Sequence, residues 1–167
     1  MLFNAIVYGP IRSRRLGVSL GMNLMPTTAK LCTFDCVYCE CGWNQPVSHP
    51  VLPTREEVHA ALHDKLSTFN SQLDVITFSG NGEPTLHPEF LGIIQDTCAL
   101  RNQYCPTAKI SVLSNSTQLG RAEVVEALRL CDNRILKLDS AIDTTMQLLD
   151  KPVNPRLTVE QIVQWLS

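Results

Sequence analysis

Short β-rich runs alternate along this chain with segments whose apolar residues recur at helical spacing. The runs are rich in Val, Ile, Leu and Phe and are bounded by turn residues, which is typical of buried strands. They lie at residues 18–24, 73–78, 109–113 and 133–139. Helices are predicted after these strands at residues 54 to about 69, 88–100, 121–130 and 144–149, and a last one from 158 to about 165.

Two of the predicted helices begin with the signature of a capping box. Thr54 is followed three residues later by Glu57, and Thr158 by Gln161. In such a pair each side chain binds a backbone N–H group that the first helical turn leaves free. These two pairs therefore predict where the helices begin.

Four strand-then-helix units in succession predict an α/β fold. Parallel neighbouring strands need a crossover connection, and a helix is the usual one. In such sheets and barrels ligands bind at the carboxyl ends of the strands. We therefore expect the site at the loops that follow the first three strands, which are a cysteine-rich loop, residues 80–85 and residues 114–117.

The composition favours one folded domain and excludes several classes of protein. The chain has 167 residues, of which 44% are hydrophobic and 18% charged, and its formal net charge is −2. This balance is typical of a globular domain and gives no overall attraction to nucleic acid. The longest uncharged stretch, residues 16–29, is broken by polar residues and glycines, and the first ten residues lack the pattern of a signal peptide. We expect a cytoplasmic protein with no membrane association.

Seven cysteines are the most informative feature of the composition, because four of them fall within ten residues. Cysteines of a cytoplasmic protein are expected to be reduced thiols. Three have the spacing C-x3-C-x2-C, and three soft thiolates on one loop suit an iron–sulfur cluster or zinc and leave one coordination position open. These three are Cys32, Cys36 and Cys39.

The remaining cysteines receive different interpretations. Cys41 is expected to be a thiol beside the metal site that does not ligate. Cys98 and Cys131 fall on or next to apolar helix faces and are expected to pack in the core, since a free cysteine behaves as a small hydrophobic residue. Cys105 precedes a proline in a loop, and its pattern favours neither role.

Three questions stay open at the level of residues. The cysteine cluster could serve an enzyme, a zinc-stabilised binding module or an iron–sulfur electron carrier. Lys137 and Asp139 share one face of the fourth strand, which is either the interior of a barrel or its outer surface. Arg14 and Arg15 could contact an anionic ligand or form a solvated pair.

The cysteine motif, with Tyr38 before its last cysteine, resembles the signature of the radical S-adenosylmethionine (radical SAM) superfamily. Residues 77–86, with the turn Gly80-Asn81-Gly82-Glu83, are similar to the glycine-rich turn that follows the second strand in that family. The lead-in at residues 9–21 resembles a branch of iron–sulfur oxidoreductases related to wyosine-type tRNA-modification enzymes. The resemblance covers residues 8–152, nearly the whole chain.

The resemblance implies cofactors and roles for individual residues. Cys32, Cys36 and Cys39 would ligate three irons of a [4Fe–4S] cluster, and the fourth iron would bind S-adenosylmethionine (SAM), which is cleaved reductively to a 5′-deoxyadenosyl radical. The resemblance also implies an electron donor such as a flavodoxin or ferredoxin. It does not identify the substrate, which could be a small molecule, a tRNA or a protein. SAM would be contacted by Tyr38 at the adenine, by the turn residues Gly80, Asn81, Gly82 and Glu83 at the amine, and by Ser114 and Asn115 at the ribose or carboxylate.

The chain is shorter than this resemblance leads us to expect. Members of the family usually carry six or more strand-helix units, whereas four and a final helix are counted here. We therefore expect a single domain over residues 1–167 that forms a partial, open (β/α) barrel of parallel strands. The rest of the barrel would lie in a missing C-terminal region or be supplied by a partner, because an unfinished sheet exposes an edge.

Overall fold

The computed structural model describes residues 1–45 and 49–167, and these residues form one five-stranded sheet and five α-helices. The strands follow one another across the sheet in chain order, β1 to β5. β1 is antiparallel to β2, and every other neighbouring pair is parallel. The strands are β1 (Val7–Ser13), β2 (Gly17–Met22), β3 (Val75–Phe78), β4 (Lys109–Ser114) and β5 (Asn133–Leu136). The helices are α1 (Arg55–Ser67), α2 (Phe90–Tyr104), α3 (Ala122–Arg129), α4 (Asp143–Leu149) and α5 (Val159–Leu166).

The predicted α/β fold is confirmed, and each predicted strand and helix is present with slightly different ends. β1 is the strand that the hydrophobic pattern does not predict. Its segment contains Gly9 and Pro10, which are typical of turns, and its register against β2 shifts between Tyr8 and Ile11. The sheet is therefore mostly parallel, with one antiparallel strand at its first edge.

The two faces of the sheet differ in character. Leu20, Ile76 and Ile110 lie side by side in β2, β3 and β4 and are fully buried against the helices. The opposite face carries small polar residues, and there Ser19 and Thr77 share a hydrogen bond of 2.8 Å. The main core thus lies between the sheet and α1, α2 and α3, and the other face of the sheet is polar.

A second, smaller core lies beneath the cysteine-rich loop. Phe34 from that loop is buried with apolar residues of the C-terminal segment, and Cys32 and Cys36 pack against the same group. The buried members of this second core are Phe34, Met146, Leu157, Val159 and Ile162. The C-terminal helices α4 and α5 therefore support the cysteine loop.

The predicted helix starts agree with the structure. Thr54 and Glu57 form a complete capping box at α1, and the Thr158 hydroxyl accepts a hydrogen bond from the Gln161 N–H at the start of α5. Throughout the described ranges, no helix is both long enough and apolar enough to cross a membrane.

Candidate functional site

The three loops predicted to share the carboxyl edge of the sheet do meet there. Leu31 forms a parallel bridge with Gly82 of the turn after β3. The Leu31 N–H donates to the Asn81 carbonyl at 2.9 Å, and the Glu83 N–H donates to the Leu31 carbonyl at 3.0 Å. Cys32, which follows Leu31 directly, is thereby fixed beside the glycine-rich turn.

This close pairing explains why residue 82 is glycine. Its φ of +142° lies in the region that favours glycine, and a Cβ atom there would stand 1.8 Å from the Leu31 carbonyl oxygen. The space that glycine leaves at this position is filled by the chain itself. Gly82 therefore positions the cysteine loop against the turn.

Glu83 joins the turn to the end of β4 through a buried carboxylate. One oxygen accepts hydrogen bonds from the Thr85 N–H at 3.1 Å and the Thr85 hydroxyl at 2.5 Å, and the other accepts from the Asn115 N–H at 2.7 Å. Burial raises the pKa of Glu83 above its ordinary value. Both carboxylate oxygens of Glu83 are thus bound by the chain.

The other polar residues predicted at this edge also contact the chain. Asn115 donates from Nδ2 to the Thr33 hydroxyl at 2.8 Å and to the Cys32 Sγ at 3.4 Å. Ser114 is buried, and its hydroxyl accepts from the Ser116 N–H at 3.1 Å. Asn81 donates from Nδ2 to the carbonyl of Phe3 at 2.8 Å, which ties the N-terminal segment to the turn.

The three cysteines of the motif lie on one loop as partly buried free thiols. Burial raises the pKa of Cys32 to about 11 and also raises the pKa of Cys36. Over residues 1–45 and 49–167, no three Cys, His, Asp or Glu side chains converge closely enough to form a metal site as they stand. The donor set nonetheless suits iron, because thiolates are the ligands that iron–sulfur clusters use, and metal binding replaces the thiol protons.

Of the four remaining cysteines, one contacts the glycine-rich turn and three pack in or against the main core. Cys41 donates from Sγ to the Gly80 carbonyl at 3.3 Å, so it contacts the turn; its expected non-ligating role stays a prediction. Cys131 is buried in the main core, and Cys98 packs against that core, which confirms the packing predicted for both. Cys105 also packs against the main core, at the end of α2.

The second side of the cysteine loop is bound to the segment after α4. The Asp35 N–H donates to the Asp150 carbonyl at 2.8 Å, and the Val37 N–H donates to the Leu149 carbonyl at 2.9 Å. The Val153 N–H donates back to the Thr33 carbonyl at 2.8 Å. The loop that carries the cysteines is therefore held between the glycine-rich turn and the C-terminal segment.

A buried lysine stabilises the fold of the loop from within. The Lys30 side chain is 2% exposed, and its Nζ donates at 3.0 Å to both an Asp35 carboxylate oxygen and the Gly42 carbonyl. Burial acts to lower the pKa of Lys30, but the bond to Asp35 and the nearby thiols raise it overall. The same Asp35 oxygen accepts the Asn44 N–H at 2.8 Å. Sequence reasoning missed this group; its one available signal was a Lys and an Asp five residues apart around the first cysteine.

Lys137 extends from the end of β5 to the cysteine loop, so its side chain lies on the inner side, at the candidate site. Leu136 packs against the main core, while the Lys137 Nζ lies 3.4 Å from the Cys36 Sγ and forms an ion pair with the buried Asp150. Tyr38 donates from its hydroxyl to Asp139, and an Asp150 carboxylate oxygen lies 3.2 Å from the same hydroxyl oxygen. The Tyr38 ring is 55% exposed, so it lies at the surface of the site.

Arg14 and Arg15 do not join this cluster. They lie in the connection between β1 and β2, at the edge where the parallel strands begin, whereas the cysteine loop follows the end of β2. Arg15 lines a cavity of about 400 Å³ together with Asp74 and Lys109. Any role of the two arginines is therefore exerted at the opposite end of the parallel strands, away from the cysteine loop.

Comparison with known proteins identifies similar sequences and similar solved structures. The family model "Radical SAM superfamily" matches residues 27–167. A UPF0026 protein of Helicobacter pylori is 34% identical over 148 residues, which are 88% of this chain and 46% of that protein. A UPF0026 protein of Synechocystis sp. is 35% identical over 162 residues, which are 94% of this chain and 56% of that protein. The chain spans about half the length of the curated relatives it matches.

A solved structure described as "Native anSMEcpe with bound AdoMet" has a similar fold. Its TM-score is 0.57 with 18% sequence identity, and the match covers 88% of this chain and 40% of that chain. At this level of identity the likeness concerns the fold. It agrees with the open, mostly parallel sheet described above.

Proposed function

Because the chain belongs to the radical SAM superfamily, whose cofactors are a [4Fe–4S] cluster and SAM, we propose that Cys32, Cys36 and Cys39 ligate the cluster. The observation that carries this assignment is the position of the loop, bound on one side to the glycine-rich turn and on the other to the C-terminal segment. When bound, the cofactors supply one-electron cleavage of SAM and a radical that abstracts hydrogen from a substrate.

The remaining residues of the proposed site would hold SAM around this loop. Tyr38 presents an exposed ring beside Cys36 and would contact the adenine. The turn from Gly80 to Glu83 and the end of β4 at Ser114 and Asn115 lie next to Cys32 and would contact the methionine part and ribose. In this proposal the chain binds and orients the cofactors, and the cofactors supply the chemistry of the reaction.

The polar face of the sheet is where we place the substrate. Ser111 and Asn133 share a hydrogen bond of 2.9 Å on that face, and the Tyr8 hydroxyl bonds to the Ser79 hydroxyl at 2.8 Å near the turn. Leu113 and Ile135 are partly exposed in neighbouring strands. A surface with polar anchors and some apolar area is typical of a ligand-binding site.

The missing units of the barrel and the electron donor complete the proposal. Among the described residues β5 pairs with β4 alone, so further strands, from a longer polypeptide or a partner, would extend the barrel there. A donor such as a flavodoxin or ferredoxin would approach the exposed side of the cysteine loop, where Val37 and Trp43 are each 49% exposed.

Anaerobic reconstitution with iron and sulfide tests the cluster assignment. We expect about four irons per chain, as a cubane cluster requires, and formation of 5′-deoxyadenosine from SAM after reduction with dithionite. Single substitutions of Cys32, Cys36 or Cys39 by Ser are expected to abolish both. Cys98→Ser is the matched control, because Cys98 is a partly buried thiol outside the loop.

Two other results would contradict the proposal. One tightly bound zinc without labile sulfide would identify a zinc-stabilised binding module. A stable cluster that never cleaves SAM would identify an electron carrier.

A further inference from the structure

Lys137 lies between a cysteine of the motif and a buried carboxylate. Its Nζ donates to the Cys36 Sγ at 3.4 Å and to Asp150, whose side chain is 2% exposed. A second carboxylate, Asp139, lies 3.4 Å from the same nitrogen. The ammonium therefore has an anchor on one side and a sulfur atom on the other.

The surroundings hold this ammonium in place. The Lys137 Nζ stands 4.5 Å from the centre of the Phe34 ring and 5.6 Å from that of Tyr38. Phe34 is itself buried in the second core. A lysine between two aromatic rings and a buried carboxylate loses the freedom that surface lysines have, and cation–π contacts of this kind are stronger when desolvated.

Cys32 and Cys36 accept hydrogen bonds from donors that differ in charge. Cys32 receives a hydrogen bond from a neutral amide, that of Asn115 at 3.4 Å. Cys36 receives one from a charged ammonium at the same distance. Charge-assisted hydrogen bonds are roughly twice as strong as neutral ones, so the contact of Lys137 has the larger effect on its sulfur.

We propose that Lys137 is a positioning residue for Cys36 that raises the reduction potential of the bound cluster. The inference rests on the proposed function, since it requires Cys36 to be a ligand. Hydrogen bonds to ligating sulfurs favour the reduced, more negative state of a cluster. Here the hydrogen bond carries the effect and net charge does not, because Asp150 and Asp139 both lie against the same ammonium. Asp150 holds the ammonium toward the sulfur, and loss of either partner would leave the other charge without its counterion in a largely buried place.

A redox titration of the reconstituted protein, with dithionite as reductant and the cluster followed by electron paramagnetic resonance, tests this inference. In Lys137→Met we expect the ratio of reduced to oxidised cluster at a given potential to fall about tenfold, equivalent to about 59 mV for one electron. Lys151→Met is the matched control, because the Lys151 Nζ lies over the Trp43 ring at 4.5 Å. It removes one positive charge from the same region, and we expect the ratio to stay within about twofold.

The outcomes separate this inference from the proposed function. A wild-type protein that takes up no cluster contradicts both, whereas a Lys137→Met protein with a full cluster and an unchanged potential overturns the inference alone. Equal shifts in the two variants also overturn it, because the effect would then be a general one of charge. A large loss of SAM affinity at unchanged potential assigns Lys137 to SAM instead. If Lys137→Met fails to fold or to hold iron, Lys137→Gln is judged by the same criteria, with a smaller downward shift expected because the amide keeps a donor.

Discussion

At the scale of single residues, the site is built from side chains whose partners are other parts of the chain. The cysteines and the glycine-rich turn could be predicted, because their residue types and spacing carry the chemistry. The buried partners Lys30 and Asp150 could not, since a charged residue in a loop gives no sign of burial until the fold brings its counterion to it.

Gly82→Ala tests the contact that fixes the cysteine loop. The new Cβ would collide with the Leu31 carbonyl, and we expect the unfolding free energy to fall by more than about 2 kcal/mol, with reduced iron uptake. Gly42→Ala is the control, because Gly42 also has a positive φ but a Cβ there meets nothing within 4 Å. Its cost should be about 1 kcal/mol of backbone strain. Equal costs in urea denaturation would argue against the contact.

At the scale of elements, local signals predict most helices and strands, and tertiary pairing accounts for the exception. The capping residues Thr54 and Thr158 begin helices, as their patterns indicate. β1 escapes prediction because its strand conformation is set by pairing with β2 around an irregular register. Contacts between elements are likewise invisible in the sequence, as the pair Arg55 and Asp96 shows.

Arg55 of α1 and Asp96 of α2 form a bidentate ion pair, with N···O distances of 2.6 and 2.7 Å. The bond to Arg55 holds the pKa of Asp96 below its ordinary value of 3.8. A lowered carboxyl pKa adds stability above the ordinary value, and this contribution is lost as the pH falls through the lowered one. Urea midpoints of wild type and Asp96→Asn should therefore differ at neutral pH and in low salt, begin to converge below pH 3.8, and coincide only below the lowered pKa of Asp96. A difference that persists in acid would contradict the role of the ion pair.

At the scale of the whole molecule, the buried apolar residues form two cores. The main core joins the sheet to α1, α2 and α3, while the second core joins the cysteine loop to α4 and α5. This division could not be predicted, because Phe34 lies in a loop near the cysteines but packs against residues of the C-terminal segment in the fold. It implies that the candidate site can loosen while the sheet remains folded.

Ile162→Ala should show this separation. Ile162 is 1% exposed in the second core, and the cavity left by the substitution should destabilise that core by about 2–5 kcal/mol. Hydrogen exchange is expected to accelerate in residues 32–39 and 143–166, and to stay slow in β3 and β4. Ile94→Ala, in the main core, should instead accelerate exchange in the sheet. Uniform acceleration in both variants would mean that the molecule unfolds as one unit.

The irregular first strand has a consequence for how copies of this fold meet each other in concentrated solution. Pro10 removes a backbone donor from β1, and the shift in register between Tyr8 and Ile11 twists the strand, so its outer side is a poor template for another chain. β5 carries no such protection along Asn133–Leu136. A second copy would therefore pair along β5 rather than β1 wherever the β5 flank is not already paired with a further strand.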